Sequence, residues 1–260
     1  MNIPFKKIYK NTGLTTHEFD NLLIPLNPDW KTAVINLSGG ADSALLAFMI
    51  CKTAEDNNYD FRLDVLSYIR MWKTRPWQSS IAENVYNWLK NRFPDIIGER
   101  YTMYIPPELE CGAIGTIKIG KERERCLDAV IGLSYSRYLQ YQNKYAAVYN
   151  ATTLNPSGST HDARVFERDN VPARTENVAM LDKDTGWLLI PFRLTEKDWV
   201  LQQYINNDIL DLLNITRSCE GEFKDITFET YTVGQHIPEC GTCFWCEERN
   251  WAKKEVGIDD

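Results

Sequence analysis

The sequence predicts a doubly wound α/β fold, in which helices cover both faces of a mostly parallel sheet. Two observations support the prediction. Apolar segments of strand length alternate along the chain with longer segments of helical period, which is the order that βαβ units produce. The chain also has 260 residues, 43% of them hydrophobic and 25% charged, which is typical of a globular protein with a substantial core.

Five short apolar segments are the predicted strands of this sheet. They contain β-branched and aromatic residues and lie between helical patterns or polar segments. They span residues 33–37, 63–68, 101–105, 146–149 and 187–191.

Four longer segments have the period of a helix. They span residues 44–54, 78–93, 123–142 and 195–206. The first is rich in Ala, Leu and Met, which predicts a buried helix. The last opens with Thr195 and Asp198, which match a capping box with Asp in place of the usual Glu.

The net charge of −7 limits the expected partners. Nucleic-acid binding needs clustered Lys or Arg side chains, because affinity comes largely from counterion release. The densest basic stretch, residues 118–125, interleaves Glu and is better explained as the solvated start of a helix. No apolar stretch approaches the roughly 20 residues that span a bilayer, and residues 1–10 lack the apolar core of a secretory signal. We therefore expect a cytoplasmic protein with a small-molecule substrate, and neither a membrane nor a nucleic-acid partner.

A six-residue loop, Ser38-Gly39-Gly40-Ala41-Asp42-Ser43, joins the first predicted strand to the first predicted helix. Consecutive glycines let the backbone turn tightly and bring N–H groups against phosphate oxygens. The following helix adds unpaired N–H groups and the positive end of its dipole. Ser38 and Ser43 can donate hydroxyl hydrogen bonds, and Asp42 can hold Mg²⁺ directly or through water. The loop therefore predicts a phosphate site.

Two alternatives bear on this prediction. An ordinary strand-to-helix turn would use the glycines for shape and an Asp or Ser side chain as the N-cap, although the full string favours phosphate binding. Residues 115–121 match the first seven positions of a Walker A loop, but Glu122 stands where Ser or Thr would bind Mg²⁺. Residues 38–43 are therefore the stronger site.

The string at residues 38–43 resembles the SGGxDS loop of the PP-loop ATP pyrophosphatases, also called adenine nucleotide alpha hydrolases. The resemblance implies a Rossmann-like fold of the PP-loop (HUP) type. It also implies an ATP site at Ser38, Gly39, Gly40, Asp42 and Ser43, with Asp42 and Ser43 as the catalytic residues. Members cleave ATP to AMP and pyrophosphate, commonly adenylating a carboxylate or carbonyl oxygen so that nitrogen or sulfur can displace AMP. The loop alone does not choose among asparagine synthetases, GMP synthetases, tRNA thiolases and their relatives.

Four of the seven cysteines cluster toward the C-terminal end of the chain, and they are Cys219, Cys240, Cys243 and Cys246. A two-residue gap lets neighbouring thiolates converge on one metal ion, and three such ligands need a fourth. We predict a zinc site with a structural role, because four thiolates leave no open position for water. An iron–sulfur cluster and a redox pair are the alternatives.

The second half of the chain resembles one branch of the superfamily, the 7-cyano-7-deazaguanine synthases (QueC). Residues 190–197 resemble its Pro-Leu-x-x-Leu-Ser/Thr-Lys run, and residues 216–219 resemble its Thr-Trp-Ser-Cys string. Residues 240–246, with Arg249, match its Cys-Gly-x-Cys-x-x-Cys-x-x-Arg motif. In that branch these cysteines bind zinc, which supports the zinc prediction.

A polar stretch, residues 155–170, is too irregular for a helix or a strand. It is also longer than most loops that only connect two elements, which predicts a substrate loop. Ser157, Gly158, Asp162 and Arg164 match a stretch that lies near the deazapurine in the same branch. The resemblance implies that Asp162 accepts hydrogen bonds from guanine-type N–H groups and that Arg164 holds a carboxylate or phosphate. The alternative is that both are surface loop residues.

The resemblance implies a ligase that uses ATP and ammonia to convert 7-carboxy-7-deazaguanine to the nitrile, with Mg²⁺ and Zn²⁺ as further cofactors. It also implies a homodimer. We expect residues 1–260 to form a single domain, with residues 215–260 as its zinc-binding subregion. Alternatives are a relative that adenylates another acid or a tRNA base, for thiolation or lysidine formation, and a non-catalytic nucleotide-binding module.

Overall fold

The structure is a computed structural model that describes residues 12–70, 77–105, 116–119, 123–153, 178–219, 232 and 238–258. Its strands in chain order are β1 (Thr16–Phe19), β2 (Leu22–Pro25), β3 (Thr32–Asn36), β4 (Arg62–Arg70), β5 (Ile97–Ile105), β6 (Thr116–Ile119), β7 (Arg123–Cys126), β8 (Ala147–Tyr149), β9 (Val178–Asp182) and β10 (Gly186–Ile190). Its helices are α1 (Ala41–Asp56), α2 (Gln78–Arg92), α3 (Leu127–Asn143), α4 (Lys197–Asn206), α5 (Leu210–Asn214) and α6 (Phe244–Val256). A 3-10 turn spans Pro191–Leu194, between β10 and α4.

The central sheet has six strands in the order β5-β4-β3-β8-β10-β9. All neighbouring pairs run parallel except β10 and β9, so β9 is an antiparallel edge strand. Ile35 of β3 lies opposite Val65 of β4 on one side and Tyr149 of β8 on the other. The parallel strands therefore follow the doubly wound order, which confirms the predicted fold class. Successive strands are added on one side of β3 as far as β5 and on its other side from β8 onward, so the carboxyl end of β3 lies at the switch point where such sheets bind ligands.

The buried positions explain why the predicted segments form these elements. Ala33, Val34 and Ile35 are fully buried in β3, because a strand at the middle of a parallel sheet is covered on both faces. α1, rich in Ala, Leu and Met, is buried along most of its length, as predicted. α2 instead buries one face, including Val85 and Leu89. Among the described helices, none has the length and apolar character needed to cross a membrane.

Two local predictions were wrong. Residues 123–126 do not begin a helix, because they form β7 and pair antiparallel with β6 in a two-stranded ribbon; α3 begins at Leu127. The capping box is also absent. Glu196 is the N-cap of α4 without a side-chain cap hydrogen bond. The Thr195 hydroxyl donates instead to the Phe192 carbonyl at 2.8 Å, because Thr195 ends the 3-10 turn that contains this carbonyl.

Candidate functional site

The loop between β3 and α1 carries the predicted phosphate-binding residues. Gly39 has a φ of 82°, in the left-handed region that favours glycine. A Cβ at this position would lie 2.9 Å from both the backbone nitrogen of Ala82 and Cγ2 of Ile81, at the start of α2. Gly39 is therefore required by its own conformation and by the close approach of α2.

The hydroxyl groups of Ser38 and Ser43 form hydrogen bonds within the loop itself. Ser43 Oγ accepts the Ser38 N–H at 3.2 Å and donates to the Gly40 carbonyl at 3.1 Å. Ser38 Oγ accepts the Gly40 N–H at 3.2 Å. Gly40 is the N-cap of α1, and no side chain caps the helix. The alternative of a turn capped by Asp or Ser is therefore wrong, and the uncapped N-terminus is the arrangement that binds anions.

A cavity of about 220 Å³ adjoins this loop. Its wall is formed by the loop, the starts of α2, α4 and α6, and the segment that ends at Cys219. The lining residues are Ser38, Gly40, Asp42, Trp77, Gln78, Ile81, Lys197, Arg217, Ser218, Cys219 and Trp245. The cavity thus combines aromatic and cationic side chains with the phosphate loop, which suits an anionic ligand that has a flat or apolar part.

Asp42 belongs to a buried ion triad with Lys197 and Glu248. Lys197 is 1% exposed, and its Nζ donates to both carboxylate oxygens of Asp42 at 2.5 Å. The same Nζ lies 3.5 Å from Oε2 of Glu248 on α6. Burial acts to lower the pKa of Lys197, but the two carboxylates outweigh burial and raise the pKa above its ordinary value. Lys197 is therefore protonated at neutral pH and cancels the charge of Asp42 beside the phosphate loop.

The segment 215–219 passes directly beside the phosphate loop. The Arg217 N–H donates to the Gly39 carbonyl at 3.0 Å. The guanidinium of Arg217 stacks on Trp77, with Cζ 4.1 Å from the ring centroid, and its Nη2 donates to the Pro238 carbonyl at 2.9 Å. The segment then reaches Cys219, which lines the cavity.

The structure brings together the four cysteines predicted to bind metal. The sulfur atoms of Cys219, Cys240, Cys243 and Cys246 all lie within 4.8 Å of one another. Those of Cys240 and Cys246 are 3.8 Å apart. Four thiolates about 2.3 Å from one tetrahedral zinc ion would be about 3.8 Å apart, so the spacing fits a single ion. In a four-iron cluster each thiolate binds a different iron, which requires the sulfur atoms to lie farther apart.

The surroundings of these sulfur atoms also fit a cation. Burial acts to raise the pKa of Cys240, but N–H groups of Thr242 and Cys243 that donate to its sulfur outweigh burial and lower the pKa. Burial raises the pKa of Cys246 to about 12. A shared cation would stabilise both thiolates, because a coordinating thiol loses its proton.

Arg249 joins α6 by hydrogen bonds to residues 213–216, which precede Cys219. Its Nη1 donates to the carbonyl and hydroxyl of Thr216 at 3.1 and 3.2 Å, and its Nη2 donates to the Leu213 carbonyl at 3.1 Å. The same helix carries Cys246 and Glu248. α6 therefore connects the cysteine group, the segment beside the phosphate loop and the ion triad.

Several residues of the cavity were not predicted as site residues. Lys197 was noted only as the end of the run at 190–197, and the signal that could have found it is a lysine following a strand at the ligand-binding edge of the sheet. Trp77 carried no local signal. Arg217 and Trp245 lie in the runs 216–219 and 240–246 but were not predicted to line a cavity, because each reaches it by packing between distant segments.

Other predicted residues do not contribute to this geometry. Ser157, Gly158, Asp162 and Arg164 lie outside the described residues, as does the whole of the predicted substrate loop, residues 155–170. Part of the Walker-like stretch, Thr116–Ile119, forms strand β6 instead of a phosphate loop.

Comparisons with known proteins give similarities of structure only. No protein family matches the chain, and no curated protein matches its sequence. The U34-tRNA thiolase NcsA from Methanococcus maripaludis, solved with its 4Fe-4S cluster, is similar with a TM-score of 0.44 and 12% identity over 87% of this chain. This chain covers 64% of the thiolase's length.

Two synthetases are also similar. NMN synthetase from Francisella tularensis has a TM-score of 0.41 and 17% identity, with 87% of this chain and 85% of that chain covered. Glutamine-dependent NAD+ synthetase from Acinetobacter baumannii, in complex with adenosine diphosphate, has a TM-score of 0.41 and 14% identity, with 74% and 33% covered.

Proposed function

We propose that the chain is an ATP-dependent adenylating enzyme of the PP-loop ATP pyrophosphatase type. The observation that carries the proposal is the loop at residues 38–43. It lies at the switch point of the sheet, it leads into a helix without a side-chain cap, and it adjoins a cavity. Backbone N–H groups and a helix N-terminus are the groups that hold phosphate in such sheets.

Each residue of the loop has a role in this proposal. Gly39, Gly40 and the first turn of α1 hold the departing pyrophosphate. Ser38 positions Ser43, whose hydroxyl would donate to the same oxygens in place of the Gly40 carbonyl. Lys197 keeps Asp42 from repelling the phosphates. Mg²⁺, when bound, would be held by Asp42 together with phosphate oxygens, which is a common set of ligands for this ion, and would neutralise further phosphate charge.

For the substrate we propose 7-carboxy-7-deazaguanine, with ammonia as the nucleophile. Support comes from the resemblance of residues 190–197 and 216–219 to the deazaguanine branch, since both segments contribute to the cavity wall. A carboxylate oxygen attacks the α-phosphorus of ATP and pyrophosphate leaves; ammonia then displaces AMP and loses a proton to give the amide. The amide oxygen attacks the α-phosphorus of a second ATP and pyrophosphate leaves. Departure of AMP with that oxygen, together with loss of two protons, then gives the nitrile. Ser157, Gly158, Asp162 and Arg164 are proposed to bind the deazapurine.

For the metal we propose one structural Zn²⁺ held by Cys219, Cys240, Cys243 and Cys246. Their spacing suits a single tetrahedral ion, and four thiolates leave no position for a reacting water. The ion would join residues 240–246 to Cys219 and so stabilise one wall of the cavity. A homodimer is proposed on the resemblance alone.

Product analysis tests the proposed reaction. Purified protein is incubated with Mg-ATP, ammonia and 7-carboxy-7-deazaguanine, and the products are identified by mass spectrometry. We expect the nitrile and two AMP molecules for each nitrile, and neither product with an Asp42→Asn variant. ATP binding without formation of AMP or ADP with any acid would contradict an enzymatic function and favour a nucleotide-binding module.

Sulfur transfer to a tRNA base is a second candidate, and the position of Cys219 favours it. Its side chain lines the same cavity as Ser38 and Asp42, where a thiolase needs a reactive sulfur. The net charge of −7 opposes it, because tRNA binding needs a basic surface. Metal analysis separates the candidates. One zinc per chain supports the ligase, whereas iron with inorganic sulfide supports the thiolase and contradicts the zinc proposal.

A further inference from the structure

We propose that Ser218 is a phosphate-binding residue of the cavity, whose hydroxyl donates to an oxygen of the pyrophosphate part of ATP. The inference deepens the proposed function and rests on it in one respect, namely that ATP binds at the loop formed by residues 38–43. Three observations support it: an open space beside Gly40, the position of the Ser218 hydroxyl at that space, and the fixed backbone on both sides of Ser218.

The second glycine of the loop is explained by space and not by its backbone conformation. Gly40 has a φ of −80° and a ψ of 160°, which residues with a side chain adopt readily. A Cβ at this position would lie 3.3 Å from Oγ of Ser38 and 3.6 Å from Oγ of Ser218, with the Arg217 carbonyl oxygen farther away at 3.8 Å. The missing side chain therefore leaves open a space bordered by two hydroxyl groups, which we call the Gly40 gap.

The Ser218 hydroxyl is a donor that a ligand can use. Ser38 and Ser43 use their hydroxyl groups for hydrogen bonds within the loop. Among the residues that the structure describes, none forms a hydrogen bond with the hydroxyl of Ser218, which lines the same cavity. The Gly40 gap lies at the uncapped N-terminus of α1, where N–H groups and the helix dipole favour a phosphate oxygen. Ser218 adds a donor to that oxygen from the neighbouring segment.

The backbone on both sides of Ser218 is fixed. On one side, the Arg217 N–H donates to the Gly39 carbonyl at 3.0 Å. On the other side, Cys219 is 3% exposed, and its sulfur lies within 4.8 Å of the other three sulfur atoms of the cysteine group. The Ser218 hydroxyl is thus held beside the loop before a ligand arrives. Such a preorganised contact loses less conformational entropy on binding than a mobile one does.

Calorimetric binding measurements test the inference on Ser218→Ala, Ser218→Thr, Gly40→Ala and the double variant with Gly40→Ala and Ser218→Ala. Ser79→Ala is the matched control, because Ser79 is also partly buried and adjoins Gln78 of the cavity wall without lining the cavity itself. The probes are Mg-ATP and Mg-pyrophosphate, which contain the pyrophosphate group, and AMP and adenosine, which lack it. No acid is added, so that ATP is not consumed.

We expect Ser218→Ala to bind Mg-ATP and Mg-pyrophosphate about tenfold more weakly, because a hydrogen bond to a charged group is lost. AMP and adenosine should bind as they do to the wild type. Ser218→Thr should recover most of the affinity, because threonine keeps the hydroxyl. In Gly40→Ala the methyl group fills the gap, so a further Ser218→Ala change should weaken binding by less than about threefold.

Three results would overturn the inference. The first is an affinity of Ser218→Ala for both pyrophosphate-containing probes that matches that of Ser79→Ala. The second is a loss confined to AMP and adenosine. The third is an equal loss from Ser218→Ala with and without Gly40→Ala, since the contact would then lie outside the gap.

Thermal unfolding and metal content show whether each variant is folded. If Ser218→Ala does not fold, Gly40→Ala decides, because it closes the same gap, and unchanged affinity for both pyrophosphate-containing probes would overturn the inference. The outcome is separable from the proposed function. Cleavage of ATP to AMP without a loss of affinity in Ser218→Ala contradicts this inference alone. Pyrophosphate binding through Ser218 without ATP cleavage contradicts the proposed function alone, and a wild type that binds neither Mg-ATP nor Mg-pyrophosphate contradicts both.

Discussion

Replacement of Lys197 by methionine removes the cation of the ion triad while keeping a long apolar side chain. Lys197 and Glu248 have side chains 2% and 1% exposed, whereas that of Asp42 is 23% exposed. Loss of one partner of a buried ion pair costs about 3–5 kcal/mol, because the remaining charge stays buried without compensation. Because water can reach the Asp42 carboxylate, most of this loss in stability arises at the buried carboxylate of Glu248. We therefore expect a loss of about 3 kcal/mol in the free energy of unfolding.

Urea unfolding followed by fluorescence of the eight tryptophans measures this change. Lys31→Met is the control, since Lys31 pairs with Asp60 at a similar distance of 2.8 Å but with side chains 69% and 92% exposed. We expect its unfolding midpoint to stay within error of the wild type. A second variant, Lys197→Met with Glu248→Gln, should regain part of the lost stability, because the buried carboxylate is removed with its cation.

The pH dependence has a defined sign. The folded pKa of Lys197 lies above the unfolded value of 10.5, so its contribution is complete below pH 10.5 and is lost as the pH rises through the folded pKa. Lys197→Met lacks this contribution, so its deficit should be complete below pH 10.5 and shrink as the pH rises through the folded pKa of Lys197. An equal midpoint shift for Lys197→Met and Lys31→Met, at every pH, would refute the account of the triad.

Three further changes test other parts of the site. Gly39→Ala places a Cβ 2.9 Å from α2 at a φ of 82°, so ATP binding should fall at least tenfold in equilibrium dialysis; an affinity within threefold of the wild type would contradict the loop geometry. Cys240→Ser should lose its metal to a chelator at least tenfold more readily, whereas Cys51→Ser, a buried cysteine outside the cluster, should keep it. Arg249→Met removes three buried hydrogen bonds from a charged donor, to the carbonyl and hydroxyl of Thr216 and to the Leu213 carbonyl, so thermal unfolding should show a loss of about 3 kcal/mol; a loss below about 1 kcal/mol would show that α6 is held by other contacts.

The features that sequence could predict are those with a local pattern. The five parallel strands were found because each is a short apolar segment between helical patterns, as in β3, where Ala33, Val34 and Ile35 are all buried. The phosphate loop was found from a glycine pair between a strand and a helix. The cysteine group was found from the spacing of Cys240, Cys243 and Cys246.

The features that sequence missed depend on contacts between distant segments. Lys197 meets Asp42 across 155 positions in the chain, and the packing of α4 against α1 brings them together. Arg217 reaches Gly39 in the same way. The ribbon of β6 and β7 was missed because each strand is only four residues long. β6 alternates polar and apolar residues, but over too short a span to be decisive, and β7 is highly charged.

The most direct test of the central claim follows the oxygen atoms of the acid. 7-carboxy-7-deazaguanine labelled with oxygen-18 in its carboxylate is incubated with the protein, Mg-ATP and ammonia, and the nucleotide products are examined by mass spectrometry. Because the acid and then the amide attack the α-phosphorus, we predict pyrophosphate and AMP, with one labelled oxygen in each AMP. ADP with inorganic phosphate, or AMP without the label, would contradict adenylation at the loop formed by residues 38–43.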